Sequence, residues 1–337
     1  MRLRNNLKKF VFAGVAIAAP IFLLALSLHA QQAGKQAEPP DTGDATFSTE
    51  TRLVQLPVTV SDKNGHLVTN LPQSAFQVFE NSVQQTIKLF KPEDVPISLG
   101  LVIDNSGSMR EKRTSVESAA LALVRDSNKL DEVFVVNFND EPYLDADFTS
   151  DISVMEQGLT KIDSRGGTAM RDAIRVSVDH LKDKAKRDKK VILVVTDGND
   201  NASTMTLDAL VRLAQEDDVL IYAIGLLSEE EKREAGKAKR ALNTLTENTG
   251  GLVFYPKEVS EVEKIAHEVA ADIRHQYTIG YTPTNTALDG TFRPVKVVVK
   301  APGNPVARTR SGYYATKDQV TRSVLKPTGK SAVDERR

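Results

Sequence analysis

Five residues in this chain have the types and spacing to hold a hard cation. Asp104-Asn105-Ser106-Gly107-Ser108 follows the apolar run Ile97-Ser98-Leu99-Gly100-Leu101-Val102-Ile103. It sets a carboxylate and two hydroxyls at alternate positions on a turn that glycine lets bend. A hard divalent ion takes oxygen ligands in tight geometry, and Mg²⁺ accepts one or two carboxylates while keeping water. Two later stretches complete such a set. Gly166-Gly167-Thr168 offers a hydroxyl beside backbone that passes close to an ion, and Thr196-Asp197-Gly198 ends the run Val191-Ile192-Leu193-Val194-Val195. Taken alone, each stretch reads equally well as a turn or a helix cap. Three of them, all following strand-like runs or opening a helix, read as one site made of Asp104, Ser106, Ser108, Thr168 and Asp197.

The elements that position these residues form a strand–helix alternation over 95–275. Four continuous β-branched runs, 97–103, 132–138, 190–196 and 219–225, fit a parallel sheet covered on both faces. Helical faces fill the gaps: Val116, Ala119, Ala120, Leu123 and Val124, and then Ala173, Ile174, Ser177, Val178 and Leu181. Thr206 is placed to cap a helix carrying Leu207, Leu210, Val211 and Ala214. Ser260 and Glu263 have the spacing of a capping box before Val262, Ile265, Ala266, Val269 and Ile273. This pattern predicts an α/β domain, doubly wound around a mostly parallel sheet, with ligands gathering at the carboxyl ends of the strands.

The flanks differ. Residues 51–94 read as short strands: alternation from Leu53 to Val60, a hairpin turn at Asp62-Lys63-Asn64-Gly65, and runs at 76–80 and 85–90 around Asn81-Ser82. Residues 276–316 return to strands at 276–281, 293–300 and 308–315, broken by Pro283 and Pro302-Gly303. Neither flank holds much of a core alone, so the two are expected to share one accessory β layer. The charged stretch Ser228 to Arg240 reads as a solvated helix face or loop.

At the amino end, Arg2, Arg4, Lys8 and Lys9 precede the apolar stretch Phe10 to Leu28, and small or polar residues follow. Residues 1–30 therefore read as a secretory signal cut after Ala30, or as an anchor spanning a bilayer through residues 10–28. Either way the remainder is exported, to the periplasm or the exterior. Residues 31–50 read as a linker and 317–337 as a disordered tail.

Composition narrows the function. The net charge of −1 gives no basic excess, so nucleic acid is not an expected partner. With no cysteine there is no thiolate zinc site, disulfide scaffold or cysteine nucleophile. The serines lack a Gly-x-Ser-x-Gly elbow, and no loop at the strand ends supplies a histidine for a triad. No Gly-x-x-x-x-Gly-Lys-[ST] phosphate loop is present, and two-metal hydrolysis calls for more carboxylates or histidines.

Asp104-x-Ser106-x-Ser108, Thr168 and Asp197-Gly198 resemble the metal-ion-dependent adhesion site of von Willebrand factor type A domains. The match covers roughly 95–275. The strands of 51–91 and the ending Tyr281-Thr282-Pro283, Phe292-Arg293 and Arg310-Ser311-Gly312-Tyr313-Tyr314-Ala315 resemble exported bacterial members of that group, of a type common in acidobacteria. The resemblance implies that Ser106, Ser108 and Thr168 contact the ion, with Asp104 and Asp197 acting directly or through water. It implies Mg²⁺, with Mn²⁺ and Ca²⁺ as other oxygen-seeking ions, and an open coordination position for an Asp or Glu carboxylate of a partner protein. Asp172 is expected to support the site from behind; Asp140 is a second candidate for that role, with a turn residue as its preferred reading. The expected function is therefore a non-enzymatic, exported, metal-dependent protein-binding module. Its rivals are a subunit of a periplasmic assembly and, behind it, a metal-assisted hydrolase.

Overall fold

The computed structural model describes residues 52–92, 94–126, 128–161, 164–228, 232–316 and 321–322. Residues 1–30, expected to be a signal or anchor, residues 31–50, expected to be a linker, and nearly all of 317–337 lie outside the described residues.

Strand β1 (Arg52–Ser61) buries Leu53, Val54, Leu56, Val58 and Val60. The Asp62–Gly65 turn follows, and Asp62 Oδ1 accepts the amides of Asn64 and His66 at 2.8 and 2.9 Å. The turn returns only as a single bridge, Ser61 to Leu67. Strands β2 (Phe76–Glu80) and β3 (Val83–Gln85) are joined by Asn81 and Ser82, with φ of 48° and 66°. Two positive φ values suit the right-handed twist of a two-residue hairpin. The sequence joins Gln85 to Phe90 in one run, but the chain breaks at Thr86. β3 stays with β2, and β4 (Ile87–Pro92) crosses to another sheet.

The α/β layer runs β5 (Ile97–Asp104), α1 (Arg113–Arg125), β6 (Glu132–Phe138), β7 (Pro142–Thr149), α2 (Ile152–Leu159), α3 (Met170–Lys184), β8 (Lys189–Thr196), α4 (Leu207–Glu216), β9 (Val219–Gly225), α5 (Lys232–Thr249), β10 (Val253–Phe254) and α6 (Val262–Arg274). The sheet order is β10-β9-β8-β5-β6-β7, parallel except for β7 against β6. Every residue of β5, β6 and β9 is buried, as expected of strands covered on both sides. Helices α1, α2 and α6 cover one face; α3, α4 and α5 cover the other. Thr206 caps α4 by accepting the Ala209 amide at 3.3 Å. The expected cap at Ser260 does not form. A 3₁₀ turn over Val259–Glu261 absorbs that serine, and α6 starts after Glu261 without a side-chain cap. Residues 232–240 of the charged stretch belong to α5, which buries Ala238, Leu242 and Leu245.

The flanks build two sheets rather than one layer. The first places β11 (Tyr277–Tyr281) between β1 and β4, with β13 (Val306–Arg308) beyond β1. The second has the order β14-β12-β2-β3, with β12 at Phe292–Val299 and β14 at Gly312–Tyr314. Their inner faces share one core, in which the Phe76 and Tyr277 rings lie 4.9 Å apart. Within it Glu80 pairs with buried Arg293 and accepts the hydroxyls of Tyr281 and Tyr313 at 2.8 Å each. A short strand, β15 (Thr321–Arg322), pairs with β1 at Arg52 and Leu53, so the tail is not without structure at that point. No helix among the described residues is long and apolar enough to cross a membrane.

Polar bolts join these sheets to the α/β layer. The Asp272 carboxylate of α6 accepts Tyr222 Oη at 2.6 Å and Arg308 Nη2 at 2.7 Å on both oxygens. Gln276 Nε2 reaches Thr59 Oγ1 and Tyr222 Oη at 3.1 and 3.0 Å. Burial foremost, and then the Asp272 charge, push the Tyr222 hydroxyl well above its ordinary pKa. Arg274 spans Asp94 and Asp131, while Arg310 pairs with Asp218. Those three acids precede β5, β6 and β9, so these bolts sit at the amino ends of the strands.

Candidate metal centre

Strands β5 and β8 are neighbours whose onward connections run in opposite directions, β5 toward β6 and β8 toward β9. Such a switch point opens a crevice at the carboxyl ends. Asp104 is the last residue of β5, and Asp197 is the first beyond β8.

The turn after β5 is pinned from below. Asn105 donates its amide to Phe138 O at 2.7 Å and its Nδ2 to Asn137 Oδ1 at 2.8 Å. Ser106 then precedes a 3₁₀ turn, Gly107–Met109, anchored by the buried Met109 side chain. The Ser106 and Ser108 Oγ atoms lie 3.2 Å apart, and Ser108 Oγ donates to Asp197 Oδ1 at 2.8 Å.

The Gly-Gly loop is drawn in by the Gly107 amide, which donates to Gly166 O at 3.3 Å, and by Asp140, whose Oδ1 accepts the Gly167 amide at 2.7 Å. Gly166 has φ of +75°, and a Cβ there would sit 2.2 Å from Asp140 Oδ2. Only glycine meets both conditions. Asn201 holds Thr168 on both sides: its Oδ1 accepts the Thr168 amide at 2.9 Å, and its own amide donates to Thr168 O at 3.1 Å. A Cβ on Gly198 would lie 3.7 Å from Thr168 Oγ1, so that hydroxyl faces the turn after Asp197.

Asp104 is 1% exposed. Its Oδ1 accepts the Ser106 amide at 2.8 Å, and its Oδ2 accepts Thr196 Oγ1 at 2.6 Å. Burial, aided by the nearby Asp197 charge, pushes its pKa up to about 6 against these hydrogen bonds. No described cation pairs with it. Asp197 differs, for its Oδ2 accepts the Lys112 ammonium at 2.5 Å.

Asp172 behaves otherwise than expected. At the start of α3 its carboxylate accepts the Thr204 and Met205 amides at 2.9 and 3.0 Å, which fastens the 203–205 loop; it bonds to none of the five candidate ligands. Burial raises its pKa, but these bonds outweigh that and leave it below the ordinary value. Thr196, Asn201 and Lys112 are the site residues that motif reading misses, and Asp140, whose preferred sequence reading is a turn residue, helps hold the Gly-Gly loop. Only Thr196 carried a signal, as the neighbour of Asp197. Among the described histidines none contacts the rim serines: His66 pairs with Asp62, His180 with Asp147, His267 with Asp126, and His275 with Ala271 O.

The donor set is chemically consistent: two carboxylates and three hydroxyls, all oxygen, as a hard cation requires. An octahedron with bonds of about 2.1 Å sets adjacent ligands about 3.0 Å apart. The Ser106, Ser108 and Asp197 oxygens, 3.2 and 2.8 Å apart as hydrogen-bonded neighbours, are close enough for one ion to span them. Among the described residues no cluster of three or more His, Cys, Asp or Glu could hold an ion, so an ion here depends on the hydroxyls.

Comparison with known proteins agrees with this architecture. Residues 99–199 match the family model for the von Willebrand factor type A domain. No curated protein sequence matches significantly. Similar solved structures include an aerotolerance-related membrane protein from Bacteroides fragilis, at 15% identity over 52% of this chain and 98% of that one, with a TM-score of 0.43. The vWF domain of the type V pili tip protein Mfa5 from Porphyromonas gingivalis is 14% identical over 54% and 97%, with a TM-score of 0.43. Proximal thread matrix protein 1 from the mussel byssus, with a zinc-occupied MIDAS motif, is 16% identical over 58% of this chain and 49% of that one, with a TM-score of 0.47. Residues 99–199 are thus similar in sequence to a von Willebrand factor type A domain, and they lie within a doubly wound, mostly parallel sheet.

Proposed function

We propose that residues 95–275 form a divalent-cation-dependent protein-binding module, with Asp104, Ser106, Ser108, Thr168 and Asp197 holding the ion. One observation carries the reading: a nearly fully buried carboxylate, Asp104, meets hydroxyls and an amide but no described cation, beside the Ser106, Ser108 and Asp197 oxygens. The all-oxygen donor set suits Mg²⁺, with Mn²⁺ and Ca²⁺ as other oxygen-seeking ions. Two carboxylates leave such an ion short of anionic ligands, so the remaining position suits an Asp or Glu of a partner protein. The basic and apolar pattern of residues 1–30 supports export, with the module released or anchored outside the cytoplasm. The flanks 51–94 and 276–316 serve as its accessory β unit.

Thermal unfolding of the full chain tests this reading, in EDTA and in millimolar Mg²⁺, Mn²⁺ or Ca²⁺. A ligand that binds only the folded state stabilises it by mass action, and a rise of about 5 °C is expected at saturating ion. Asp104→Ala should abolish the rise. An unchanged midpoint with every ion, or an equal rise in the variant, overturns the assignment.

A further inference from the structure

Lys112 is the one cation that touches the proposed coordinating set among the described residues. It lies in the turn that leads from Ser108 into α1. Its amide donates to Met109 O at 2.9 Å, and its carbonyl accepts the Val116 amide at 3.2 Å, so the backbone is fixed on both sides. Its Nζ donates to Asp197 Oδ2 at 2.5 Å and reaches Leu226 O at 3.5 Å. The Asp197 side chain is 1% exposed and that of Lys112 25%, so water screens this pair little from within. Asp197 thus serves Ser108 through one oxygen and an ammonium through the other.

Formal charge gives this contact its consequence. Two carboxylates and a divalent ion make a neutral centre; with the ammonium added the centre carries a net positive charge. A like charge fixed a few ångströms away weakens the hold on the ion. The same positive excess strengthens the attraction for an anionic ligand at an open coordination position.

We infer that Lys112 is a charge regulator of the rim: it lowers the intrinsic affinity for the divalent ion and ties firm ion binding to the arrival of a carboxylate. The inference rests on the cation-binding reading above. It assigns a role to a residue that motif does not contain.

Titration of the full chain with Mn²⁺, followed by the loss of the free-ion electron paramagnetic resonance signal, tests it. Wild type is compared with Lys112→Met, Lys112→Gln and Lys112→Arg, each checked for folding by circular dichroism. The two neutral variants should bind Mn²⁺ roughly tenfold tighter or more, while Lys112→Arg stays near wild type. Adding acetate as a carboxylate probe should tighten Mn²⁺ binding more in wild type than in Lys112→Met. Binding by the neutral variants alone also supports the inference. Equal or weaker binding by them overturns it and leaves the cation site standing, whereas Mn²⁺ binding by none of the four proteins overturns both. Failure of both neutral variants to fold overturns it as well, by making Lys112 a structural residue.

Discussion

Two buried carboxylates in this molecule meet opposite surroundings. Asp272, 6% exposed, sits where α6 meets the flanking sheets and receives the Arg308 guanidinium on both oxygens, with Tyr222 beside it. Asp104, 1% exposed at the carboxyl rim, receives an amide and hydroxyls but no described cation. Burying a charge is costly unless it is paired. At Asp272 the chain supplies the partner charge itself, and the region acts as a joint. At Asp104 the charge is left uncompensated, and burial shows as a raised pKa. A closed ionic network holds a fold together; an open one asks for a ligand.

The comparison is broken most forcefully from the joint. Asp272→Ala strands Arg308 against Tyr222, and loss of one partner of such a pair costs about 3–5 kcal/mol. Urea unfolding should show that loss, while the ion-induced rise in midpoint survives in what remains folded. Loss of the ion response together with stability would mean that joint and rim act as one unit.

A smaller effect is expected behind the rim. Asp140→Ala frees the Gly167 amide and removes one of the two contacts that draw in the Gly-Gly loop. Residues that orient ligands in this way are worth about tenfold in ion affinity. Mn²⁺ titration should show that drop with little change in stability, because Asp140 is exposed. An unchanged affinity would show that Thr168 is placed by Asn201 alone.

The smallest effect lies away from both regions and serves as a control. His180 is packed between Phe134 and Phe148, with ring centroids 4.7 and 5.0 Å away, and its Nε2 is 2.9 Å from Asp147 Oδ1. Burial lowers its pKa, with the Asp147 charge opposing. As pH falls through the unfolded value near 6.5, the unfolded chain takes up the proton first, so stability declines. His180→Phe should flatten that part of the stability profile below neutrality. An equally steep decline in the variant would assign the acid sensitivity elsewhere.

What the sequence could reveal follows from how local each feature is. Asp104, Ser106 and Ser108 share one turn at the end of a buried run, and Asp197 ends another, so strand patterning alone aims them at one rim. Lys112 was hidden because its partner Asp197 is 85 residues away, and a lysine before a helix looks like any solvated charge. Asn201 was hidden for the same reason, reaching across 33 residues, and Asp140 reads as a turn residue because its contact lies 27 residues away. Strand β7, Pro-Tyr-Leu-Asp-Ala-Asp-Phe-Thr, escaped notice because an edge strand open to water on one side carries charges that read as loop. The break at Thr86 was equally unreadable, because the side-chain alternation runs through it without a change of period. Ser260 had the spacing of a cap, yet spacing says nothing about the 3₁₀ turn that took it over.

The placement of β11 between β1 and β4 bears on how the chain is made. Both outer strands leave the ribosome before the α/β layer, while the strand that joins them follows it. Glu80 must likewise wait for Arg293, 213 residues later. Contacts that distant form slowly, since a long loop must close first, and exposed strand edges invite wrong pairing in the meantime. In this protein the α/β layer can fold early, but strands synthesised after it are the keystone of sheets begun before it.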